Sequence, residues 1–216
     1  METVDLSHSI SQGMPVYPGT EPPIFTTACT YDEDGFIESK ITLYSHTGTH
    51  LDAPAHIMQG EKTLDQFTVD HFVGKGSVLD LRSTQKQTIE LEDLQPYQHL
   101  IKESEFILLL TGWSRFWNEE AYFRGYPILS PEAAQWLCSF TLKGLGVDMI
   151  SVDEEGSTVF PIHRILLESD IVVIENLTNL ESLPPSGFTF LCVPLKIERA
   201  DGSPVRAVAM VEKSAE

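Results

Sequence analysis

The chain has 216 residues, and one domain spanning residues 1–216 with a substantial core is expected. Its 32 acidic residues against 14 Lys and Arg give a formal charge of -18, which leaves no basic patch for nucleic acid and disfavours an anionic membrane surface. No apolar run approaches the ~20 residues that span a bilayer. The opening Met1-Glu2-Thr3-Val4-Asp5 has neither the basic nor the apolar part of a secretory signal. Cys29, Cys138 and Cys192 are scattered and form no CxxC pair, so buried thiols in a reducing cytoplasm are expected.

In chain order, residues 1–35 are rich in loop formers. The stretch Met14–Pro23 cannot be a helix, because its prolines fix φ and remove N–H donors. From 36 to 45, Ile37, Ile41 and Leu43 alternate with Glu38, Lys40, Thr42 and Tyr44, which predicts a strand with one wet face that delivers the chain to His46. Short helices are expected at 64–72, 91–98 and 162–169. Further strands are expected at 77–81, 106–111, 147–152, 171–175, 189–197 and 205–211. The run Phe106–Leu110 is apolar on both faces, as a central covered strand is. Ser130 as cap, Pro131 at the first helical position, the stripe Ala134, Leu137 and Cys138, and Gly144 as terminator predict a helix over 130–144. Strands dominate and helices intersperse them, so the class is α/β with a strongly curved or barrel-like sheet.

The most informative segment is Ser45–His56, with the spacing His-x3-His-x-Asp-x3-His at His46, His50, Asp52 and His56. Imidazole nitrogen and carboxylate oxygen are the usual ligands of a catalytic divalent metal. Fully extended, His46 and His50 would stand ~13 Å apart at about 3.3 Å per residue. The chain must therefore curl, and Gly48 is where the backbone is free to do so. His46, His50 and Asp52 supply three protein ligands, the number typical of an open catalytic site. A second group lies far along the chain. His163 is either a ligand or a helix-start residue with one satisfied nitrogen. Glu175, ending the apolar run Ile171–Ile174, is either a ligand or a strand end facing water. If both reach the first segment, a bridging carboxylate makes room for a second metal. His8, His71 and His99 have no partner pattern and read as structural or surface residues. Trp113 and Trp117 read as core or interface residues. Tyr17, set between Val16 and Pro18, either lines a substrate pocket or packs.

The segment His46-Thr47-Gly48-Thr49-His50-Leu51-Asp52-Ala53-Pro54-Ala55-His56 resembles the HxGTHxDxPxH signature of the cyclase family of metal-dependent hydrolases, which includes bacterial kynurenine formamidase and isatin hydrolase. Further segments match in order: Asp5-Leu6-Ser7 with Met14–Gly19, Thr111-Gly112-Trp113, Gly146-Val147-Asp148 with Ser151-Val152-Asp153, Glu175-Asn176-Leu177, and Asp201–Ala207. The resemblance implies a swivelling β/β/α fold with a curved mixed sheet and peripheral helices, commonly in homodimers or larger assemblies. It implies His46, His50 and Asp52 on one zinc, with Asp52 and Glu175 bridging to a second zinc completed by His163. It implies His56 as the proton donor or acceptor, and an unperturbed imidazole pKa near 6.5 suits that task. Tyr17 stands where the formamidase has a substrate-contacting tryptophan.

The expected activity is hydrolysis of an amide bond by metal-activated water, with an arylformamidase acting on N-formylkynurenine as one form. A cyclic amide, a lactone or another small acyl compound is the rival within enzymes. A metal-dependent binding module without turnover is the rival outside them. The cofactor is Zn2+, one ion or two, and the same ligand chemistry accepts Mn2+. The expected partners are a small-molecule substrate and a second copy of the chain.

Overall fold

The structure is a computed structural model that describes residues 1–84 and 86–212. Residues 85 and 213–216 of the expected domain lie outside the described residues. The strands in chain order are β1 (Glu2–Asp5), β2 (Ile24–Cys29), β3 (Glu38–Thr42), β4 (His50–Asp52), β5 (Val73–Asp80), β6 (Thr88–Ile89), β7 (Phe106–Leu110), β8 (Ile128–Leu129), β9 (Gly144–Val147), β10 (Val172–Glu175), β11 (Phe188–Leu191), β12 (Gly202–Pro204) and β13 (Val208–Val211). Among the described residues five short α-helices accompany them: α1 (Tyr31–Asp34), α2 (Leu91–Leu94), α3 (Gln98–Glu103), α4 (Pro131–Leu137) and α5 (Pro161–Leu167).

Nine strands form one mixed, strongly curled half-barrel sheet in the order β1-β13-β11-β5-β7-β9-β10-β4-β12. The centre β5-β7-β9-β10 is parallel, and β4 then runs antiparallel to both β10 and β12. The expected α/β class with a curved mixed sheet therefore holds. Strand β7 shows why its sequence is apolar throughout. Ile107 and Leu109 point into one core with α4 and α5, while Phe106, Leu108 and Leu110 point into the other with Phe188 and Phe190. A strand covered on both faces has no wet side to mark with polar residues.

Several elements depart from the expected boundaries. The predicted helix over 130–144 stops at Leu137, although Ser130 does cap it by accepting from the Ala133 amide. Gly144 instead opens β9, where a Cβ would lie 2.8 Å from Phe106 and 2.9 Å from Ile174. Its glycine serves close packing between strands, not helix termination. The strand predicted at 147–152 sits earlier, and residues 148–153 form the loop that follows it. The helix expected at 64–72 is two 3-10 turns, Leu64–Gln66 and Val69–Phe72. The region expected helical at 91–98 breaks at Pro96 into α2, a 3-10 turn and α3.

The strand predicted at 36–45 is present as β3, but it pairs only with β2 in a ribbon separate from the main sheet. Neither face is buried. Phe25, Ile37, Ile41 and Leu43 are exposed along with the polar side. Alternation recorded what the ribbon could cover, and the chain itself supplies no cover. Of the thiols, Cys192 is buried as expected, whereas Cys29 and Cys138 are only partly so.

Candidate metal centre and cleft

Backbone pairing builds the site. In the β4–β10 ladder His50 stands opposite Glu175 and Asp52 opposite Val173. Side chains two apart on a strand share a face, so His50, Asp52 and Glu175 converge at the end of the parallel strands. Open α/β sheets place ligands at that edge. The spacing predicts a chain that curls between His46 and His50; beyond the curl, His50–Asp52 is a strand, and the irregular backbone is confined to its flanks. Gly48 does turn the chain, at φ +66°, and brings the His46 and His50 rings within 5.2 Å. His163 arrives on the buried face of α5. All five expected ligand residues thus meet, with His56 on the following 3-10 turn.

Two carboxylates occupy the centre, and each turns one oxygen to either side. His50 Nε2 lies 3.4 Å from Asp52 Oδ1 and 3.5 Å from Glu175 Oε2. His163 Nε2 lies 3.4 Å from Asp52 Oδ2 and 3.3 Å from Glu175 Oε1. These separations are too long for good hydrogen bonds. They match the ~3.3 Å edge between ligand atoms that share one tetrahedral ion at about 2.0 Å. His46 Nδ1 sits closer, at 2.6 Å from Asp52 Oδ1. The donor set and its spacing therefore fit divalent metal.

Electrostatics agree with that fit. Burial opposes ionisation of Asp52, yet His46 and His163 hold its carboxyl well below the usual carboxylate range. Burial would lower His46, but Asp52 and Asp201 raise it to about 10. Burial is likewise outweighed at His163, which Asp153, Asp52 and Glu175 raise well above an ordinary imidazole. Without an ion, protons on these rings neutralise the buried carboxylates; a divalent cation would replace them. His56 differs. Burial is the main cause, with His46 adding to it, and its pKa falls to about 4 in place of the unperturbed value.

Each cluster histidine is also held from behind. His50 Nδ1 donates to the Gly48 carbonyl at 2.7 Å, and the same carbonyl accepts from Asn176 Nδ2. Asn176 is fixed in turn by the Tyr122 hydroxyl at 2.7 Å. His163 Nδ1 lies 2.6 Å from Asp153 Oδ2, while Asp153 also accepts from the Ile162 and His163 amides at the start of α5. Spacing arguments missed Tyr122, Asn176 and Asp153 as parts of the site. For the last two the one signal was their place in the family segments Glu175-Asn176-Leu177 and Ser151-Val152-Asp153.

Above the cluster is a cleft of about 340 Å³. Tyr17, Tyr44, Ile150 and Phe160 form apolar walls, and among the described residues no Lys or Arg lines it. Tyr17 does reach the cleft, with its hydroxyl accepting from the Gly156 amide at 3.4 Å. The other histidines stay apart: His8 stacks on Trp117, His71 packs on Phe67, and His99 is exposed. Trp113 and Trp117 pack against the core. Among the described residues no helix is long and apolar enough to cross a membrane.

Comparison with known proteins gives the same direction. A family model described as "Putative cyclase" matches residues 4–154. A kynurenine formamidase of Salinibacter ruber is 32% identical over 213 residues, covering 96% of this chain and 97% of its own. An isatin hydrolase of Roseibium aggregatum is 31% identical over 211 residues, covering 85% of this chain and 79% of its own. An isatin hydrolase structure with the product analogue thioisatinate has a TM-score of 0.88 at 26% identity, covering 98% of this chain and 93% of that one. A structure described as a potential metal-dependent hydrolase with cyclase activity has a TM-score of 0.80 at 28% identity, covering 99% of both chains. With its histidine segment inside the matched region and similarity running nearly end to end, the chain belongs to the "Putative cyclase" family.

Proposed function

We propose that this protein is a metal-dependent amidohydrolase that cleaves the C–N bond of a small aromatic amide with water. The observation that carries the reading is the pair Asp52 and Glu175, each offering one oxygen beside His50 and the other beside His163, at 3.3 to 3.5 Å. Similarity to kynurenine formamidases and isatin hydrolases supports the same chemistry. In this reading His46, His50, Asp52, His163 and Glu175 hold one or two divalent ions, with zinc or manganese both suited to the donors. Bound there, the metal supplies Lewis acidity and lowers the pKa of water toward 7.

The chain's own groups do the rest. Water adds to the amide carbonyl carbon, the C–N bond breaks, and the proton lost by water ends on the departing nitrogen. His56 carries that proton. Its ring lies 3.8 Å from the His46 ring and 31% of its side chain is exposed, so it faces both the cluster and the cleft. Burial keeps it neutral near pH 7 and makes it a weaker base than a free imidazole, so its place between the cluster and the cleft carries the assignment. Tyr17, Tyr44 and Phe160 hold an aromatic substrate between them.

Within this chemistry an aryl formamide such as N-formylkynurenine is one substrate. A cyclic amide such as isatin is the second reading, favoured by walls that, among the described residues, offer no Lys or Arg to a free carboxylate. Metal analysis of protein purified without added metal, run beside a panel of N-formylkynurenine, isatin and simple lactones, tests the function. His56→Ala should keep its metal and lose at least ~10²-fold in turnover. Loss of metal in that variant, or full activity, removes His56 from the role. Metal-loaded wild type inert on the whole panel leaves a binding module instead.

The free thiols Cys29, Cys138 and Cys192 support a cytoplasmic setting. A second copy of the chain is the proposed cover for the β2–β3 ribbon. A two-stranded ribbon is marginal alone, and Phe25, Ile37 and Ile41 stand exposed on it. Light scattering that finds only monomer at micromolar concentration removes this part.

A further inference from the structure

Among the three histidines clustered with Asp52, two are immobilised by packing and one is not. His50 and His163 side chains are 4% and 5% exposed, whereas His46 is 21% exposed at the floor of the cleft. A ring with that freedom can rotate about its side-chain bonds and present either nitrogen. In the structure it does not. Nδ1 faces Asp52 at 2.6 Å, and Nε2 faces Asp201 Oδ2 at 3.0 Å.

Asp201 comes from far along the chain, yet its place is set by backbone. Its carbonyl accepts from the Ala53 amide at 2.8 Å, and the next residue opens β12 in register with Asp52. That next residue is Gly202, and only the missing Cβ leaves space for the His46 ring against the strand: a Cβ there would lie 2.6 Å from Nε2. So β4 and β12 carry Asp52 and Asp201 to opposite nitrogens of one imidazole. The arrangement matches the backs of the other two rings, where the Gly48 carbonyl and Asp153 serve.

We propose that Asp201 is a positioning residue that holds His46 with Nε2–H turned to itself and Nδ1 left free for metal. The inference rests on the metal-dependent reading above. A carboxylate behind a ligand histidine fixes both its tautomer and its orientation, and its loss commonly weakens metal binding ~10–100-fold. Asp201 Oδ2 also lies 3.7 Å from His56 Nδ1, so the test reads metal binding and not turnover, and Asp201 differs from Asp153 in its tie to the fold. Asp153 also caps α5, whereas the Asp201 side chain is 47% exposed.

The test is competitive chelator titration of zinc into metal-free wild type, Asp201→Asn and Asp201→Ala, with the thermal midpoint of each metal-free protein. Asp201→Ala should bind zinc ~10–100-fold more weakly. Asp201→Asn keeps a neutral acceptor and should fall between. The metal-free midpoint of Asp201→Ala should fall by no more than about 2–4 °C, the cost of one half-exposed charge-assisted hydrogen bond to His46. Long-range 1H–15N spectra of zinc-loaded wild type should show His46 protonated at Nε2. Unchanged zinc affinity in Asp201→Ala overturns the proposal, as does an affinity loss matched by a drop in metal-free stability or a His46 protonated at Nδ1. Wild type that binds no zinc overturns it together with the metal-dependent reading; tight wild-type binding with an indifferent Asp201→Ala overturns it alone.

Discussion

Gly202→Ala places a methyl group where the His46 imidazole lies. The new Cβ would stand 2.6 Å from Nε2 and 2.9 Å from Nδ1, against the ~3.5–4.0 Å at which non-bonded heavy atoms settle. Strand β12 cannot easily retreat, because Gly202 is in register with Asp52 and the neighbouring Ala53 amide bonds the Asp201 carbonyl. The ring must give way, by about 1 Å on those distances. That is enough to break both its contacts, with Asp52 at 2.6 Å and Asp201 at 3.0 Å. A shift of that size costs ~10²-fold in rate where geometry is catalytic, and loss of ligand orientation costs ~10–100-fold in metal affinity. The assay pairs zinc titration with turnover on whichever panel compound wild type hydrolyses. Gly13→Ala serves as the control, since its Cβ would meet nothing within 4 Å. Wild-type zinc affinity and turnover in Gly202→Ala would show that His46 need not lie against this strand, and the account of the site from β12 would fail.

Glu175→Gln should lower bound metal per chain, because one of the two central carboxylates loses its charge beside both His50 and His163; elemental analysis reads this. Gly144→Ala should cost ~1–3 kcal/mol in denaturant unfolding by overpacking Phe106 and Ile174, with metal per folded chain unchanged. Acid should expose the cost of His8, whose pKa burial lowers to about 4. The folded state binds fewer protons than the unfolded one, so the stability this group contributes is complete above about pH 6.5 and lost as pH falls toward 4. His8→Phe keeps a flat ring on Trp117, which stacks at 3.8 Å, and should lose less stability than wild type between pH 7.5 and pH 5. An identical pH dependence in the two proteins would count against that burial effect.

The sequence made the chemistry legible where one short segment carried it. His46, His50, Asp52 and His56 declared a ligand set by residue type alone, and Gly48 was the one place the backbone could curl. Phe106–Leu110 declared a doubly covered strand for the same local reason. What stayed hidden depended on partners distant in the chain. The three residues of β4, His50–Asp52, are too few to show a strand period, so the strand is visible only through its pairing with β10 and β12. Gly144 resembled a helix stop because glycine serves turns and close packing equally. Ile37 and Ile41 alternated as half-buried residues do, although the surface that would bury them is not on their own strands. Asp201 offered no local signal of its partnership with a histidine 155 positions away.

The cross-strand pairing of His50 with Glu175 also bears on when the centre can come into being. Those two residues reach each other only after a loop of more than a hundred residues has closed, and contacts of such long sequence separation form late because loop entropy must be met first. His46, His50 and Asp52 share one short segment, but the centre is complete only once the sheet has closed, so a metal cannot template the whole fold as it templates a small zinc finger. In the proposed metal-dependent reading, an ion held by all five groups would stabilise the finished fold by mass action. Added zinc should slow unfolding and leave the rate of refolding untouched.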